Sequence, residues 1–293
     1  MSVSSPDASA YHLFVGIDIA AKTARVSICL PNLEEQRTFN MQQTPGGMAD
    51  LHKRLLAVHP QPAQIHIVME NSGVYWMRLA EYLYAQGYPV SVINPYQSHH
   101  FAQALLQRAK TDALDALTIA QLAIKLQPKL WKPPAPIYSE LYQRLMQRDS
   151  LVQIRRRCKN RLHSASYRPV QVDPVHERLM ALLALTDTQI AAIDKELLPA
   201  LRQDAEWLAT ANLLLTVPCL GLVTTCWLMV MTQNFTLCDS PEQLVAYAGL
   251  APYARQSGTS LNSYRHVGWH GTNDMKELVI EIGSFDWTRM VVK

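Results

Sequence analysis

Apolar residues alternate with a period of two through YHLFVGIDIAAKTARVSICL, interrupted only by a short AAKT turn. That pattern commits the start of the chain to two neighbouring β-strands. Helix-like and strand-like stretches then take turns. TPGGMADLHKRLLAVH has a Pro-Gly-Gly start and helical spacing, and QIHIVMENSG reads as a strand. AEYLYAQGY reads as a helix with Gly87 near its C-cap, PVSVINP as a strand ending at a turn, and KTDALDALTIAQLAIKL as an amphipathic helix. This order predicts an α/β domain with a mixed sheet over residues 11–136, closing at the proline cluster 132–136.

Past the prolines the pattern turns helical and basic. Leu141, Leu145, Val152 and Leu162 form a sparse apolar stripe, and a second helical region covers 175–208. Residues 137–208 are therefore expected to be a helical, coiled-coil-like arm. Residues 209–293 are expected to form a mostly α-helical C-terminal domain, with a VPCLG turn, an EQLVAYAGL helix and a polar QSGTSLNS loop.

With 48% hydrophobic and 17% charged residues, the chain is globular rather than disordered. Its five cysteines include no CxxC pair, which suits a reducing cytosol and argues against a disulfide framework or a zinc ribbon. The opening MSVSSPDASA has neither the basic nor the apolar region of a signal peptide. Pro218 and Gly221 break the most apolar stretch, so no bilayer span is expected. A cytoplasmic protein without a membrane partner follows.

The sequence places acids where they are costly. Asp18 lies inside the apolar strand FVGIDIA, and Glu70 ends the apolar strand IHIVME. A lone carboxylate there costs several kcal/mol unless a partner or a metal compensates. Asp112 and Asp115 are three apart on one helix and share a face. Two strand acids and two helix acids are raw material for a two-metal site acting on a phosphodiester, with Mg²⁺ favoured by the hard oxygen ligands. A nearby lysine or backbone amide for Asp18, and the helix dipole for Asp112, are the competing explanations.

The blocks VGIDIAAKT, VMENSGVYW and INPYQSHHFAQALLQRAKTDALDALTIA resemble those of the DEDD-type transposases of the insertion-sequence 110 family. That family includes pilin-gene invertases and recombinases guided by a structured bridge RNA. The resemblance implies a ribonuclease-H-like first domain similar to the junction resolvase RuvC. It also implies that Asp18, Glu70, Asp112 and Asp115 hold Mg²⁺ or Mn²⁺. The K-T-D-x-x-D-A block at 110–116 is its most specific element. In the second half, LVAYAGLAPYARQSGTS resembles the family's second signature, in which the serine before the glycine attacks DNA. That residue is Ser257, with Ser260 the competitor. Taken alone, QSGTS is a turn. VPCLG looks like the family's I-P-G-I-G turn, with Cys219 in place of a glycine. The basic stretch expected after the serine keeps Arg265, His266 and Lys276 but has Asn262 and Trp269 at positions where basic residues are common.

Other residues receive plainer readings. His266 and His270 are spaced i,i+4 but flanked by glycines, so a helical zinc pair is not expected. His99 and His100 are expected in a solvated loop. Between Glu140 and Arg168 eight basic residues (Arg144, Arg148, Arg155, Arg156, Arg157, Lys159, Arg161, Arg168) face two acids. That imbalance favours phosphate contacts.

The sequence reading is a DNA transposase or site-specific recombinase using the four acids and Ser257. Its partners would be DNA, a bridge RNA and further copies of the chain, as a dimer or a tetramer on DNA, in the bacterial nucleoid. The alternatives are a metal-dependent, junction-resolvase-like nuclease, and an inactive nucleic-acid-binding remnant with a shortened C-terminus.

Overall fold

The computed structural model describes residues 11–106, 111–170, 172–218, 220–237, 240–247, 253–257 and 261–265. The chain divides into two compact units, Met1–Pro133 and Pro134–Lys293.

In the first unit, β1 (Leu13–Ile19), β2 (Thr23–Cys29) and β3 (Glu35–Gln42) are followed by α1 (Pro45–Val58) and β4 (Ile65–Glu70). Then come α2 (Met77–Ala85), β5 (Val90–Ile93), α3 (Pro95–Ala104) and α4 (Asp112–Leu126). The strands lie in the order β3-β2-β1-β4-β5. β1 runs antiparallel to β2 and parallel to β4, β2 antiparallel to β3, and β4 parallel to β5. This is the mixed, ribonuclease-H-like α/β sheet expected from the sequence.

Period-two alternation divides the sheet into two faces. Leu13, Val15 and Ile17 of β1, Val26 and Ile28 of β2, and Ile65, Ile67 and Met69 of β4 pack on one side. They meet Met48, Leu51 and Leu55 of α1 and Leu79, Ala80 and Leu83 of α2. Phe14 and Val68 point the other way, against Ile119, Leu122 and Ala123 of α4. α4 can come this close because residue 16 of β1 has no side chain. A Cβ added to Gly16 would sit 2.1 Å from the Ala116 carbonyl oxygen and 2.4 Å from the Ala120 nitrogen.

At the other end of that face, His66 is 1% exposed. The Ser91 hydroxyl donates to the Pro128 carbonyl at 2.9 Å and accepts from His66 Nε2 at 2.8 Å. Tyr11 stacks on the imidazole at 4.9 Å. Burial pulls the His66 pKa down to about 4, so the ring is neutral.

β3 and α3 extend what sequence periodicity suggested. His99 and His100, expected in a loop, lie on α3, where Asn94 and Gln97 form a capping box and Pro95 opens the first turn.

The second unit holds α5 (Pro136–Ser166), α6 (Asp173–Leu201), α7 (Ala205–Leu214), α8 (Leu222–Met231) and α9 (Pro241–Tyr247), then β6 (Tyr253–Ser257) and β7 (Leu261–Arg265). α5 and α6 are joined by ion pairs between Arg148 and Asp194 (2.5 Å), Arg155 and Asp187 (3.4 Å), and Arg144 and Glu196 (3.2 Å). The first two pairs are seven residues apart on each helix and run in opposite directions. The helices are therefore antiparallel with a heptad seam. At its base Leu141 and Leu145 pack with Leu197 and Leu201, and this core continues into Trp207 and Ala211 of α7 and Cys226, Met229 and Val230 of α8. α6 ends at Leu201, and Asp204 caps α7 by accepting from the Glu206 and Trp207 amides. Among the described residues, no helix is long and apolar enough to cross a membrane.

Candidate functional site

Asp18 is the second-to-last residue of β1, and Glu70 is the last of the neighbouring β4. The parallel register runs through Gly16↔Val68 and Ile17↔Met69, so its next step sets Asp18 beside Glu70. Alternation turns both toward the face covered by α4, because Gly16 and Asp18 share a side.

α4 crosses β1 at Gly16 through Ala116 and Ala120. Its first turn, one turn before that crossing, carries Asp112 and Asp115. Thr111 caps it, its hydroxyl oxygen accepting from the Leu114 amide at 3.3 Å. The positive end of the helix dipole favours both carboxylates there.

The charges of the other three acids act on Asp18. The Asp18 pKa is pushed up to about 6, first by burial, then by the charges of Glu70, Asp115 and Asp112, while the Ile19 backbone amide opposes the rise. Among the described residues, no three His, Cys, Asp or Glu side chains stand close enough together for one ion.

Two uncharged side chains missed from sequence hold the surroundings in place. Ser98 of α3, 6% exposed, donates its hydroxyl proton to Glu70 Oε1. Gln43 Nε2 donates to the carbonyls of Ala20 (2.9 Å) and Tyr75 (3.2 Å), tying the turn after β1 to the loop after β4. Asn94-Pro95 is a helix-start signal that could have placed Ser98 on a helix. Nothing in the local sequence marks Gln43. Arg25 lies directly across from Asp18 in the β1–β2 register. It is committed to β3, where its Nη1 donates to Asn40 Oδ1 at 2.9 Å.

In the second unit, the loop expected over QSGTSLNS is largely strand. β6 and β7 pair antiparallel from Tyr253↔Arg265 to Ser257↔Leu261, which satisfies their backbone groups in a ladder. Ser257 is the last residue of β6. Gly221 caps the start of α8 in extended conformation. Ser260, Cys219, Lys110, His266, Trp269, His270 and Lys276 lie outside the described residues.

The basic run on α5 divides in two. Arg144, Arg148 and Arg155 are paired with acids of α5 or α6. Arg156, Arg157, Lys159 and Arg161 are exposed, and none of the ion pairs among the described residues uses them. Replacing those last four by alanine should weaken nucleic-acid binding equally across sequences and flatten its salt dependence, as lost phosphate contacts do. Arg155→Ala should instead lower the melting temperature with little effect on the salt slope. Titrations at several salt concentrations check both, and an unchanged slope in the fourfold variant would make this a merely solvated face.

Comparison with known proteins fits this architecture. Residues 15–165 match the model of the DEDD transposases of IS110, described as "Transposase". Residues 211–289 match that of "Transposase IS116/IS110/IS902 family". Pilin gene-inverting proteins of Moraxella lacunata and Moraxella bovis are each 28% identical over 265 residues, covering 90% of this chain and 79% of theirs.

Proposed function

Because the chain belongs to the IS110 family of transposases, we propose that it is a DNA recombinase. In this reading it cuts and rejoins strands with the four acids of its first unit, a divalent metal, and Ser257 of its second. The observation that supports this reading is the crowding of Glu70, Asp112 and Asp115 on the half-buried Asp18. Such repulsion is costly to the fold and is relieved by a cation.

Four carboxylates without a thiol or imidazole are ligand chemistry for Mg²⁺ or Mn²⁺. Asp18, Glu70, Asp112 and Asp115 would hold the metal. A divalent metal held there would supply stabilisation of the charge that develops on the attacking and leaving oxygens of a phosphodiester. The chain's own residues do the rest. Ser98 fixes the Glu70 carboxylate, and the α4 cap fixes the turn carrying Asp112 and Asp115. Ser257 Oγ bonds to phosphorus as one phosphorus–deoxyribose oxygen bond breaks. The serine proton departs and the freed sugar oxygen takes one up. One phosphoester replaces another, so rejoining needs no outside energy.

DNA, a structured bridge RNA and further copies of the chain are the partners in this reading, with a dimer or tetramer on DNA. The exposed basic face of α5 suits the nucleic acids. The pilin gene-inverting relatives make inversion of a DNA segment one outcome.

The site is tested by stability. Asp18 has a folded pKa of about 6 against an ordinary 3.8, so the folded chain holds the extra proton between those values. Stability is therefore lost as pH rises through that window and stays lost above it. In EDTA at pH 7.5, Asp18→Asn should melt several degrees above the wild type, and the gain should shrink toward pH 4. Manganese should raise the wild-type melting temperature and leave Asp18→Asn unmoved. Equal metal shifts in both proteins would place the ion elsewhere. A lower melting point for Asp18→Asn in EDTA would mean that Asp18 serves a structural partner instead.

A further inference from the structure

The end of the sheet that carries the acids also carries large side chains exposed to solvent. The loop after Glu70 holds Val74 and Tyr75, 61% and 50% exposed, and Tyr96 on the first turn of α3 is 58% exposed. Glu70 and Ile93, the last residues of β4 and β5, are register partners, so the two segments leave adjacent strands at the same edge.

The exposure of Tyr75 is built in. Its neighbour Trp76 turns inward, edge-on to Trp131 at 5.7 Å and packed against the core. Gly73 takes a left-handed φ of +57°, which turns the chain sharply. A Cβ on Gly73 would come 3.7 Å from Tyr75 Cδ2 and Cε2, so the ring leans over the bare glycine. Gln43 then ties the Tyr75 carbonyl to that of Ala20, two residues beyond Asp18. The aromatic is thus braced from beneath and registered to the strand bearing the central acid. Tyr96 is braced in its turn, edge-on to His100 at 4.1 Å.

We propose that Tyr75, with Tyr96 on the segment leaving the neighbouring strand, is a stacking platform for unpaired bases of the DNA strand presented to the acids. This rests on the reading of the acids as a DNA-processing site. A ring face is the surface that accepts any base without regard to sequence. Stacking there would hold a strand locally unpaired, so that the phosphate next to the extruded base reaches the carboxylates.

The test uses the full chain in EDTA with two probes: a single-stranded oligothymidylate carrying one 2-aminopurine, and the same strand in a duplex. The wild type should bind the single strand more tightly than the duplex and quench the 2-aminopurine. Tyr75→Ala should lose about tenfold in single-strand affinity, the scale of one stacked base, together with the quench. Duplex affinity should hold, and Tyr75→Phe should behave as wild type. Single-strand affinity and quench retained in Tyr75→Ala would overturn the platform, as would a Tyr75→Phe variant as damaged as the alanine. The manganese melting shift on the same samples separates the two ideas. A shift that persists while stacking proves indifferent to Tyr75 refutes the platform alone. A shift absent from the wild type refutes the acid site and the platform with it.

Discussion

Ser257→Ala is expected to abolish the covalent protein–DNA adduct and to reduce strand exchange by more than about a thousandfold, the loss of a nucleophile rather than of a contact. The backbone of Ser257 is fixed as the last residue of β6, paired with Leu261. Replacing a hydroxyl by hydrogen at a hairpin end should change stability by less than about 1 kcal/mol, so nucleic-acid binding should survive. Ser260→Ala should do less. Denaturing gels of labelled DNA after reaction with Mn²⁺ decide the matter. An adduct that survives in Ser257→Ala moves the nucleophile elsewhere. Cleavage without any adduct in the wild type moves the reading to a resolvase-like nuclease using water.

A second large effect is expected from a residue with no side chain. Gly16→Val should remove most of the stability of the first unit. Even the single carbon of Gly16→Ala would approach the Ala116 carbonyl oxygen to 2.1 Å and the Ala120 nitrogen to 2.4 Å, and both are helix backbone. Backbone cannot rotate aside, so α4 or β1 must shift, at more than about 3 kcal/mol, beyond ordinary overpacking. Denaturant midpoints measure the loss. Any Gly16→Ala protein that still folds should show a second symptom. With α4 displaced, burial of Asp18 loosens and Asp115 and Asp112 move off it, so its raised pKa should fall in part, the Glu70 charge remaining. A Gly16→Ala chain as stable as wild type would show that the helix crossing is looser than its geometry implies.

Sequence and structure agree best where side-chain chemistry is unambiguous. β1, β2 and β4 are strongly alternating or apolar, and α4 is a long periodic helix, so these elements and the acids they carry could be read directly. β3, EQRTFNMQ, is an edge strand with polar residues on its open side, which leaves little apolar pattern. α3, PYQSHHFAQA, buries only Ser98 and is defined by its cap rather than by an apolar stripe. The hairpin of β6 and β7 pairs Gln256 with Asn262 and Arg255 with Ser263, polar residues that look like loop until the ladder is seen. The basic run had a decipherable half. Arg148 and Arg155 are one heptad apart, the spacing of a helix seam, and both lie opposite aspartates of α6. The approach of Asp112 and Asp115 to Asp18, by contrast, depends on the crossing at Gly16, a long-range fact that no local spacing encodes.

The paired arginines of α5 also constrain how the helical hairpin could change. Arg148 meets Asp194 and Arg155 meets Asp187, so sliding one helix by a full heptad would bring Arg148 to Asp187 and leave Arg155 facing Met180. A slip therefore forfeits one of the two bonds, and shifts of other lengths misalign the leucines at the base. Growth or shortening of the hairpin is consequently quantised. Seven residues added to each helix beyond Arg155 and Asp187 would extend it by about 10 Å at 1.5 Å per residue and leave every pair below untouched. An insertion in one helix alone, between its two paired residues, would put the two out of step. The distance this hairpin can reach is thus set in heptad-sized increments, like the teeth of a rack.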